Sequence, residues 1–360
     1  MASYFIFPEK DATLYSSFPS MNTGRDEILE LSSYENPYVT GINDVNRIVI
    51  KFPNTEIQEV LTSLVSSSVW QAHLNLYLAN ASEIPLDFKV LCFPLSQSWD
   101  MGTGKYLDSP MVVDGVSWIY NTQSGSTKWV TSSFNAGATG SFNVDNPGGG
   151  VWYYEKINSQ SFSYVDDKDI HIDVTNVIST SSYSNGIILK LEDSVEFTIN
   201  KFSLKYFSRD TSTIYPPSLE IKWKDYIIQT GSLSFLTNVV KSVVSLENNK
   251  AEYQQNSIHT FRVNARPKNP VRTFSTSSVY LNNYYLPLSS SYCVKDLDTE
   301  EEIISFDSEF TKISADSDGN YFKLYMNGLQ PERYYKILIR TELNGDVIIH
   351  DNNYYFKVIR

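Results

Sequence analysis

The segment 97–107, SQSWDMGTGKY, contains residue types that hold phosphate groups in other proteins. Gly102 and Gly104 enclose a threonine, and Lys105 follows directly. A phosphate loop needs a glycine, four residues and then Gly-Lys-Ser/Thr, placed between a strand and a helix whose first amide groups face the phosphates. Here Tyr106 follows the lysine and no helical pattern comes after it. We therefore expect no nucleotide site in this segment.

A second segment, SADSDGNYF at 314–322, resembles the first half of a calcium-binding loop. Asp316, Asp318 and Asn320 occupy alternate positions, but the twelfth position holds Asn327 where a glutamate is expected. Asp-Gly between two strand-like runs also favours a tight hairpin turn, because both residues tolerate a positive φ. The turn is the interpretation we adopt.

Acidic residues and a histidine cluster in YVDDKDIHIDV, residues 164–174. Asp169, His171 and Asp173 lie on one face of a predicted strand. No His/Cys pair has the spacing of metal ligands, so the pattern favours a polar outer face of a sheet. There is no Gly-x-Ser-x-Gly elbow and no reactive-cysteine context. Paired carboxylates of a polysaccharide lyase or hydrolase remain an open alternative, but we expect no catalytic residue, no cofactor and no metal.

Charge and hydropathy exclude two classes of partner. The chain has 360 residues and a net charge of −12, with 15 basic and 26 acidic residues in 1–226 and 14 and 15 in 227–360. Such a surface does not attract nucleic acid, and no run of 18 apolar residues would span a membrane. The first residues lack the pattern of a secretory signal, so we expect synthesis in the cytoplasm. Cys92 and Cys293 each lie in an apolar run and are predicted to be buried free thiols.

One basic stretch stands out in the second half of the chain. FRVNARPKNPVRTF contains Arg262, Arg266, Lys268 and Arg272 and no acid. It is either a docking patch for an acidic partner or a solvated strand and loop.

The elements that must position these residues are mostly strands. Apolar and polar residues alternate in runs such as RIVIKF, AHLNLYLA, DIHIDV and FTINKFSLKYF, and turn residues separate them. The only helical spacing lies at 56–69, where one or two turns are expected. The pattern predicts an all-β fold: an N-terminal jelly-roll-like β-sandwich over 1–226, a connection over 227–257 and a C-terminal immunoglobulin-like β-sandwich over 258–360.

Residues 100–160 are predicted to form a long ordered insertion in the first sandwich. They are rich in turn residues but too aromatic for disorder, so we expect them to pack a small core of their own. Five aromatic residues are the candidate contacts for a protein partner or a glycan: Trp118, Trp129, Trp152, Tyr153 and Tyr154. The alternative is that they only pack the insertion.

Seven short motifs of the first domain occur in an order that resembles a known family. They run from Asp11 and Asn22-x-Gly24 through RIVIKF, LNLYL, a Trp99-acid step, DVT and GIILKL to a last segment that contains both FSRD and a closing PPSLEI. This order resembles the DNRLRE-type β-sandwich, a domain related in shape to carbohydrate-binding modules, over about residues 8–224. The resemblance implies that Trp99 is a packing residue and that Gly102 and Gly104 let the chain turn into the insertion.

The insertion and the second domain look similar to segments of tailed-bacteriophage structural proteins. The resemblance implies a non-enzymatic virion component of the tail, baseplate or neck, located in the virion and in contact with other virion proteins in a symmetric, multi-copy assembly. A carbohydrate-binding module that adheres to host or environmental glycans is the alternative function.

Overall fold

The computed structural model describes residues 2–38, 43–129, 148–179, 181–196, 201–247, 249–272 and 278–360. The chain divides into two compact units. The N-terminal unit comprises residues 6–59 and 71–220, and the C-terminal unit comprises 1–5, 60–70 and 221–360. Nearly all regular structure is β, which confirms the all-β prediction.

The first fourteen strands belong to the N-terminal unit or cross the division between the units. Their bounds are β1 Ala2–Ile6, β2 Lys10–Tyr15, β3 Ile28–Glu35, β4 Asn43–Lys51, β5 Trp70–Leu76, β6 Leu78–Ser82, β7 Asp87–Pro94, β8 Tyr120–Thr122, β9 Thr127–Lys128, β10 Asn158–Ser163, β11 Ile170–Asp173, β12 Ile187–Leu191, β13 Phe202–Phe207 and β14 Ser218–Trp223. Three short α-helices accompany them: α1 Asn54–Glu59, which continues into a π-helical turn at Val60–Leu64, α2 Thr175–Ile178 and α3 Asp193–Glu196. The turns expected over 56–69 are therefore present.

An eight-stranded sheet forms the centre of the N-terminal unit. Its order is β10-β7-β12-β4-β3-β13-β6, and β2 also pairs with β4. All neighbouring pairs with a described register are antiparallel, for example Ile188 opposite Val49 and Leu204 opposite Leu31. Separately, β5 and β11 pair antiparallel, with Leu74 opposite Ile172.

The central strands of this sheet are covered on both faces. All of β12 and residues 45–50 of β4 are buried, and strands of this kind show continuous apolar runs instead of alternation. One face packs against residues of the predicted insertion: Val49 and Ile188 share a hydrophobic core with Trp118, Trp129 and Trp152. The described parts of the insertion therefore form an additional layer on the sheet. The prediction of a separate small core was wrong for these residues, because their tryptophans fill the space above the strands.

The C-terminal unit is a two-layer β-sandwich of nine strands among its described residues. They are β15 Ser242–Glu247, β16 Glu252–Gln254, β17 Ile258–Pro267, β18 Ser291–Asp296, β19 Glu302–Ile304, β20 Ser314–Asp316, β21 Gly319–Tyr325, β22 Tyr334–Leu343 and β23 Asp346–Ile359. One sheet has the order β15-β17-β21-β20 and the other β16-β23-β22-β18-β19. With β16 and β19 set aside as additional edge strands, the other seven strands lettered along the chain form the A-B-E-D and G-F-C sheets of an immunoglobulin-like sandwich.

Aromatic packing joins the two sheets of this sandwich. Tyr292 of β18 stacks on Phe322 of β21 with ring centroids 4.1 Å apart, and Phe261 of β17 lies 5.3 Å from the same ring. Tyr335, at the start of β22, is buried and its hydroxyl donates to the carbonyl of Gln330 at 3.1 Å. This is the tyrosine corner found where many immunoglobulin-like domains enter this strand.

The segment expected to connect the domains, 227–257, contains two strands of the C-terminal sandwich. β15 pairs with β17, and β16 pairs in parallel with the end of β23, Tyr253 opposite Val358. Within the same segment, Ile228 forms a parallel bridge with Ala315 and Phe235 with Tyr285.

Candidate contact surfaces

Asn22 organises the loop that contains the glycine-rich segment. Its buried side chain makes four hydrogen bonds: the amide group donates to the carbonyls of Met101 (2.7 Å) and Val116 (2.8 Å), and the amide oxygen accepts from the backbone N–H groups of Gly24 (3.2 Å) and Gly104 (2.9 Å). All donor and acceptor groups of this amide are thereby used. A single side chain therefore holds both ends of the loop 101–116.

Glycine is required where this loop passes Asn22. A Cβ atom on Gly104 would lie 2.4 Å from the Asn22 carbonyl oxygen. Gly102 has a φ of +77°, and a Cβ on it would lie 2.4 Å from the side-chain oxygen of the same asparagine. At Gly102 the positive φ agrees with the predicted turn, and at Gly104 the close approach of Asn22 is what requires glycine. Trp99 is buried and donates its indole N–H to the carbonyl of Asn185 at 3.0 Å, which confirms its packing role.

The segment cannot bind phosphate as a cradle of amides, because its amides already have acceptors. The N–H of Thr103 donates to Asp114, that of Lys105 to Asp108 and that of Tyr106 to Asp26, at 3.0, 2.7 and 3.2 Å. With Gly104 bonded to Asn22, four consecutive N–H groups point at side-chain oxygens of the protein, and three of those oxygens belong to carboxylates.

These carboxylates also set the charge of the loop. Burial alone raises the pKa of Asp114, but hydrogen bonds from the hydroxyl and N–H of Thr103 outweigh it and hold that pKa below its usual value. Asp114 is therefore ionised at neutral pH. Glu27 is exposed and lies 3.9 Å from the Lys105 ammonium group. Four acids and two cations stand in this part of the surface, namely Asp26, Glu27, Asp108, Asp114, Lys105 and Arg25, whose guanidinium lies 3.6 Å from the Asp210 carboxylate.

Exposed apolar side chains cover the outside of the same loop. We call the set the loop surface; its five residues are between 38% and 58% exposed, and they are Phe18, Tyr106, Leu107, Met111 and Val113. The Tyr106 ring lies 6.3 Å from that of Phe18. Leu107 is the most exposed and has a φ of +57°, a conformation that costs energy for a side chain of this kind. Backbone strain that the surrounding structure maintains points to a functional position.

The three tryptophans predicted as candidate contacts are buried, so they are not surface residues. Trp118, Trp129 and Trp152 are each at most 4% exposed and lie in the core above the eight-stranded sheet. The Trp129 indole donates to the carbonyl of Ser117 at 3.0 Å. The alternative that these tryptophans only pack the insertion agrees with their burial.

Two of these indoles cover a buried ion network that the sequence patterns did not indicate. Glu196 accepts from the Arg47 guanidinium at 2.8 Å and from the Lys190 ammonium group at 3.0 Å, and all three side chains are at most 2% exposed. The Arg47 guanidinium lies 4.9 Å from the ring centroid of Trp118 and 5.3 Å from that of Trp152. The only available signal was a cation inside each of two apolar strands, RIVIKF and GIILKL.

Tyr153 and Tyr154, the remaining two candidate contacts, are on the surface. They are 37% and 52% exposed, and the Tyr154 ring stacks on Phe93 with centroids 5.9 Å apart. A hollow of about 490 Å³ begins three residues further along the chain. It is lined mainly by polar residues: Ile157, Asn158, Ser159, Asp173, Thr175 and Asn176.

The four cations of the predicted basic docking patch have different surroundings. Arg262 is engaged by Asp316, with 2.7 Å between the guanidinium and the carboxylate, and this contact holds the pKa of Asp316 below its usual value. The Arg266 guanidinium lies 5.3 Å from the ring centroid of Tyr280. Arg262 is therefore neutralised, Arg266 is partly exposed and also donates to the Pro267 carbonyl at 3.2 Å, and Lys268 and Arg272 are exposed at the surface.

The two predicted polar clusters are structural. Residues 316–319 form the hairpin turn between β20 and β21, and the Asn320 side chain is buried, where it accepts from the N–H of Leu286. His171 and Asp173 are exposed on the outer face of β11, as expected for a polar sheet face. No group of three or more potential metal ligands lies together in the part of the chain that the structure describes.

Cys92 and Cys293 are buried free thiols, as predicted, and burial raises the pKa of both. None of the helices within the described ranges has the length and apolar character needed to cross a membrane.

Comparison with known proteins finds only weak structural similarities. No protein-family model matches the chain, and no curated protein matches it. Among solved structures it is similar to a DUF4785 family protein from Legionella pneumophila at 10% identity and a TM-score of 0.16, over 98% of this chain and 65% of that one. It is also similar to a β-glucuronidase from Parabacteroides merdae at 10% identity and a TM-score of 0.19, over 81% of this chain and 29% of that one. With TM-scores this low, neither similarity carries an argument about function.

Proposed function

We propose that the chain is a non-enzymatic structural protein of a tailed-bacteriophage virion, a tail, baseplate or neck component that assembles through protein–protein contacts. The loop surface is the observation that carries the assembly role. A rigid backbone presents five apolar side chains to solvent, and contact patches of proteins characteristically combine aromatic and aliphatic residues with a polar rim. The order of sequence motifs and their likeness to phage structural proteins support the virion setting.

The anchoring of the loop also supports an assembly role. Binding is stronger when the contacting residues are already fixed, because less conformational freedom is lost on association. The four hydrogen bonds of Asn22 and the carboxylates that accept from residues 103, 105 and 106 provide that rigidity.

A sedimentation experiment with particles from the protein's source tests the proposal. Purified protein is mixed with disrupted particles, and the pelleted fraction is measured for the wild type, Leu107→Asn and a matched control, Leu86→Asn. Asparagine adopts a positive φ readily, so Leu107→Asn removes an apolar side chain without disturbing the backbone. Leu86 is 75% exposed and lies between β6 and β7, away from the loop surface in sequence.

We expect the wild type and Leu86→Asn to pellet with the particles and Leu107→Asn to bind about tenfold more weakly. Failure of the wild type to pellet with the particles would contradict the virion role. Equal binding by both variants would contradict the role of the loop surface.

Adhesion to a glycan is the second candidate function, and one observation favours it. Tyr153 and Tyr154 are exposed aromatic residues, and a polar hollow containing Asn158, Ser159 and Asp173 begins close to them in the chain. Aromatic faces and paired hydrogen-bonding side chains are what a sugar ring requires. Retention on polysaccharide columns tests this candidate with a Tyr153→Ala/Tyr154→Ala double variant. Tyr164→Ala, which removes another exposed ring, is the control. Retention that only the double variant loses would favour adhesion.

A further inference from the structure

The C-terminal unit has an exposed surface in which cations and apolar side chains are combined. We call it the basic surface, and it consists of Arg266, Lys268, Val271, Arg272, Tyr280 and Leu281. Val271 is 86% exposed and Leu281 75%. Arg266, Lys268 and Arg272 have no carboxylate partner among the described residues, whereas Arg262 on the same strand as Arg266 is paired with Asp316. Unpaired cations beside exposed apolar residues fit a partner that is both acidic and apolar.

The loop surface of the N-terminal unit has that chemistry. Its five apolar side chains stand among Asp26, Glu27, Asp108 and Asp114, with Lys105 and the Asp210-paired Arg25 as cations. The charge of the whole chain has the same asymmetry: residues 1–226 carry a net charge of −11, and residues 227–360 carry −1. The two surfaces are therefore complementary both in charge and in their apolar content.

We infer that the loop surface of one copy of this chain docks on the basic surface of a second copy. The contact uses two different surfaces, so a bound pair still presents one unused surface of each kind, the basic surface of one copy and the loop surface of the other. Such heterologous contacts form rings where the rotation between copies closes and extended arrays where it does not. The inference rests on the proposed assembly function and adds the identity of one partner, the chain itself.

Ionic strength is expected to affect this contact. Salt screens exposed charges over about 10 Å at 0.1 M, and the cations of the basic surface and the carboxylates beside the loop are exposed or partly exposed. Self-association therefore weakens as salt is raised, while the apolar part of the contact keeps it from vanishing.

Mass measurement in solution tests the inference on the full chain. Two variants each disable one surface: Leu107→Asn on the loop surface, and Lys268→Glu/Arg272→Glu on the basic surface. Their controls make the same chemical change elsewhere, Leu86→Asn and Lys250→Glu/Lys323→Glu, at exposed positions. The average mass of the wild type and both controls is expected to rise with concentration up to the order of 100 μM. Each disabled variant is expected to stay monomeric under the same conditions.

Mixing the two disabled variants gives the decisive result. Each lacks a different surface, so an equimolar mixture is expected to form particles of two chains and nothing larger. A mixture that stays monomeric, variants that associate like the wild type, or a wild type that stays monomeric would each overturn the inference.

Failure of the self-association inference can be distinguished from failure of the proposed virion function. A wild type that is monomeric alone but pellets with particles, through a contact that Leu107→Asn removes, would refute self-association and leave the assembly role in place. Self-association of a wild type that does not pellet with particles would support the contact between copies and contradict the virion role.

Discussion

Replacing Glu196 by glutamine should destabilise the N-terminal unit severely. Glu196 is fully buried between the Arg47 guanidinium at 2.8 Å and the Lys190 ammonium group at 3.0 Å. The amide has almost the same shape as the carboxylate but no charge, so the variant removes the buried negative charge that both cations contact. Breaking a buried ion pair on one side costs about 3–5 kcal/mol.

Calorimetry measures the loss as a shift in the melting temperature of the N-terminal unit. For a unit of about 200 residues, each kcal/mol shifts Tm by roughly 2–4 °C, so the transition of the N-terminal unit should fall by roughly 6–20 °C. The transition of the C-terminal unit, which contains none of the three residues, should not move and serves as an internal reference. Quenching of tryptophan fluorescence reports the same event, because Trp118 and Trp152 lie over the network.

Asp193→Asn is the matched control. The Asp193 carboxylate also contacts the Lys190 ammonium group, but its side chain is 66% exposed. Water can replace an exposed partner, so this variant should lose less than about 1 kcal/mol. A loss of less than 1 kcal/mol in Glu196→Gln, or equal losses in both variants, would refute the view that Glu196 neutralises the buried cations.

Three further outcomes are expected. Asn22→Ala leaves buried N–H and carbonyl groups unsatisfied, so it should lower the free energy of unfolding by about 2–4 kcal/mol. It should also speed amide hydrogen exchange at Gly104, whose N–H donates to Asn22, and unchanged exchange would contradict the anchoring role. Burial raises the pKa of Asp11 from 3.8 to about 7, so its contribution to stability is present below pH 3.8 and is lost as the pH rises through about 7. Asp11→Asn should therefore stabilise the protein by on the order of 1–4 kcal/mol at pH 8 and change little at pH 3.5, and urea unfolding curves at the two pH values showing no such difference would contradict this. Tyr335→Phe, which removes the hydrogen bond to Gln330, should cost the C-terminal unit about 1–2 kcal/mol in the same unfolding measurement, and a neutral effect would show that the corner depends on ring packing alone.

The sequence was sufficient for the features that depend on neighbouring residues. Apolar runs, alternating in strands such as β11 and continuous in strands such as β12, identified the all-β class and the buried cysteines, and Asp-Gly identified the turn at the start of β21. These features follow from the local backbone and from the period of the side chains, which a single sequence contains.

The features that depend on distant residues could not be found in this way. Asn22 and Gly104 are 82 residues apart, and Arg47 and Glu196 are 149 residues apart, so no spacing rule connects them. The sequence also could not show whether the Trp118 side chain faces the core or the solvent, because a turn-rich segment has no period that distinguishes an inner face from an outer one. Its cation–π contact with Arg47 depends on how the additional layer packs on the sheet, which no local pattern of residues contains.

The way Asn22 holds its loop also bears on how this surface can change over many generations. The backbone path depends on Asn22, Gly102 and Gly104, none of which belongs to the loop surface. The side chains of Leu107 and Met111 are 58% and 46% exposed and supply none of the hydrogen bonds described above for that path. Mutation can therefore alter what the loop recognises while its shape is inherited unchanged, so partner choice can diverge between descendants of this chain without a loss of folding.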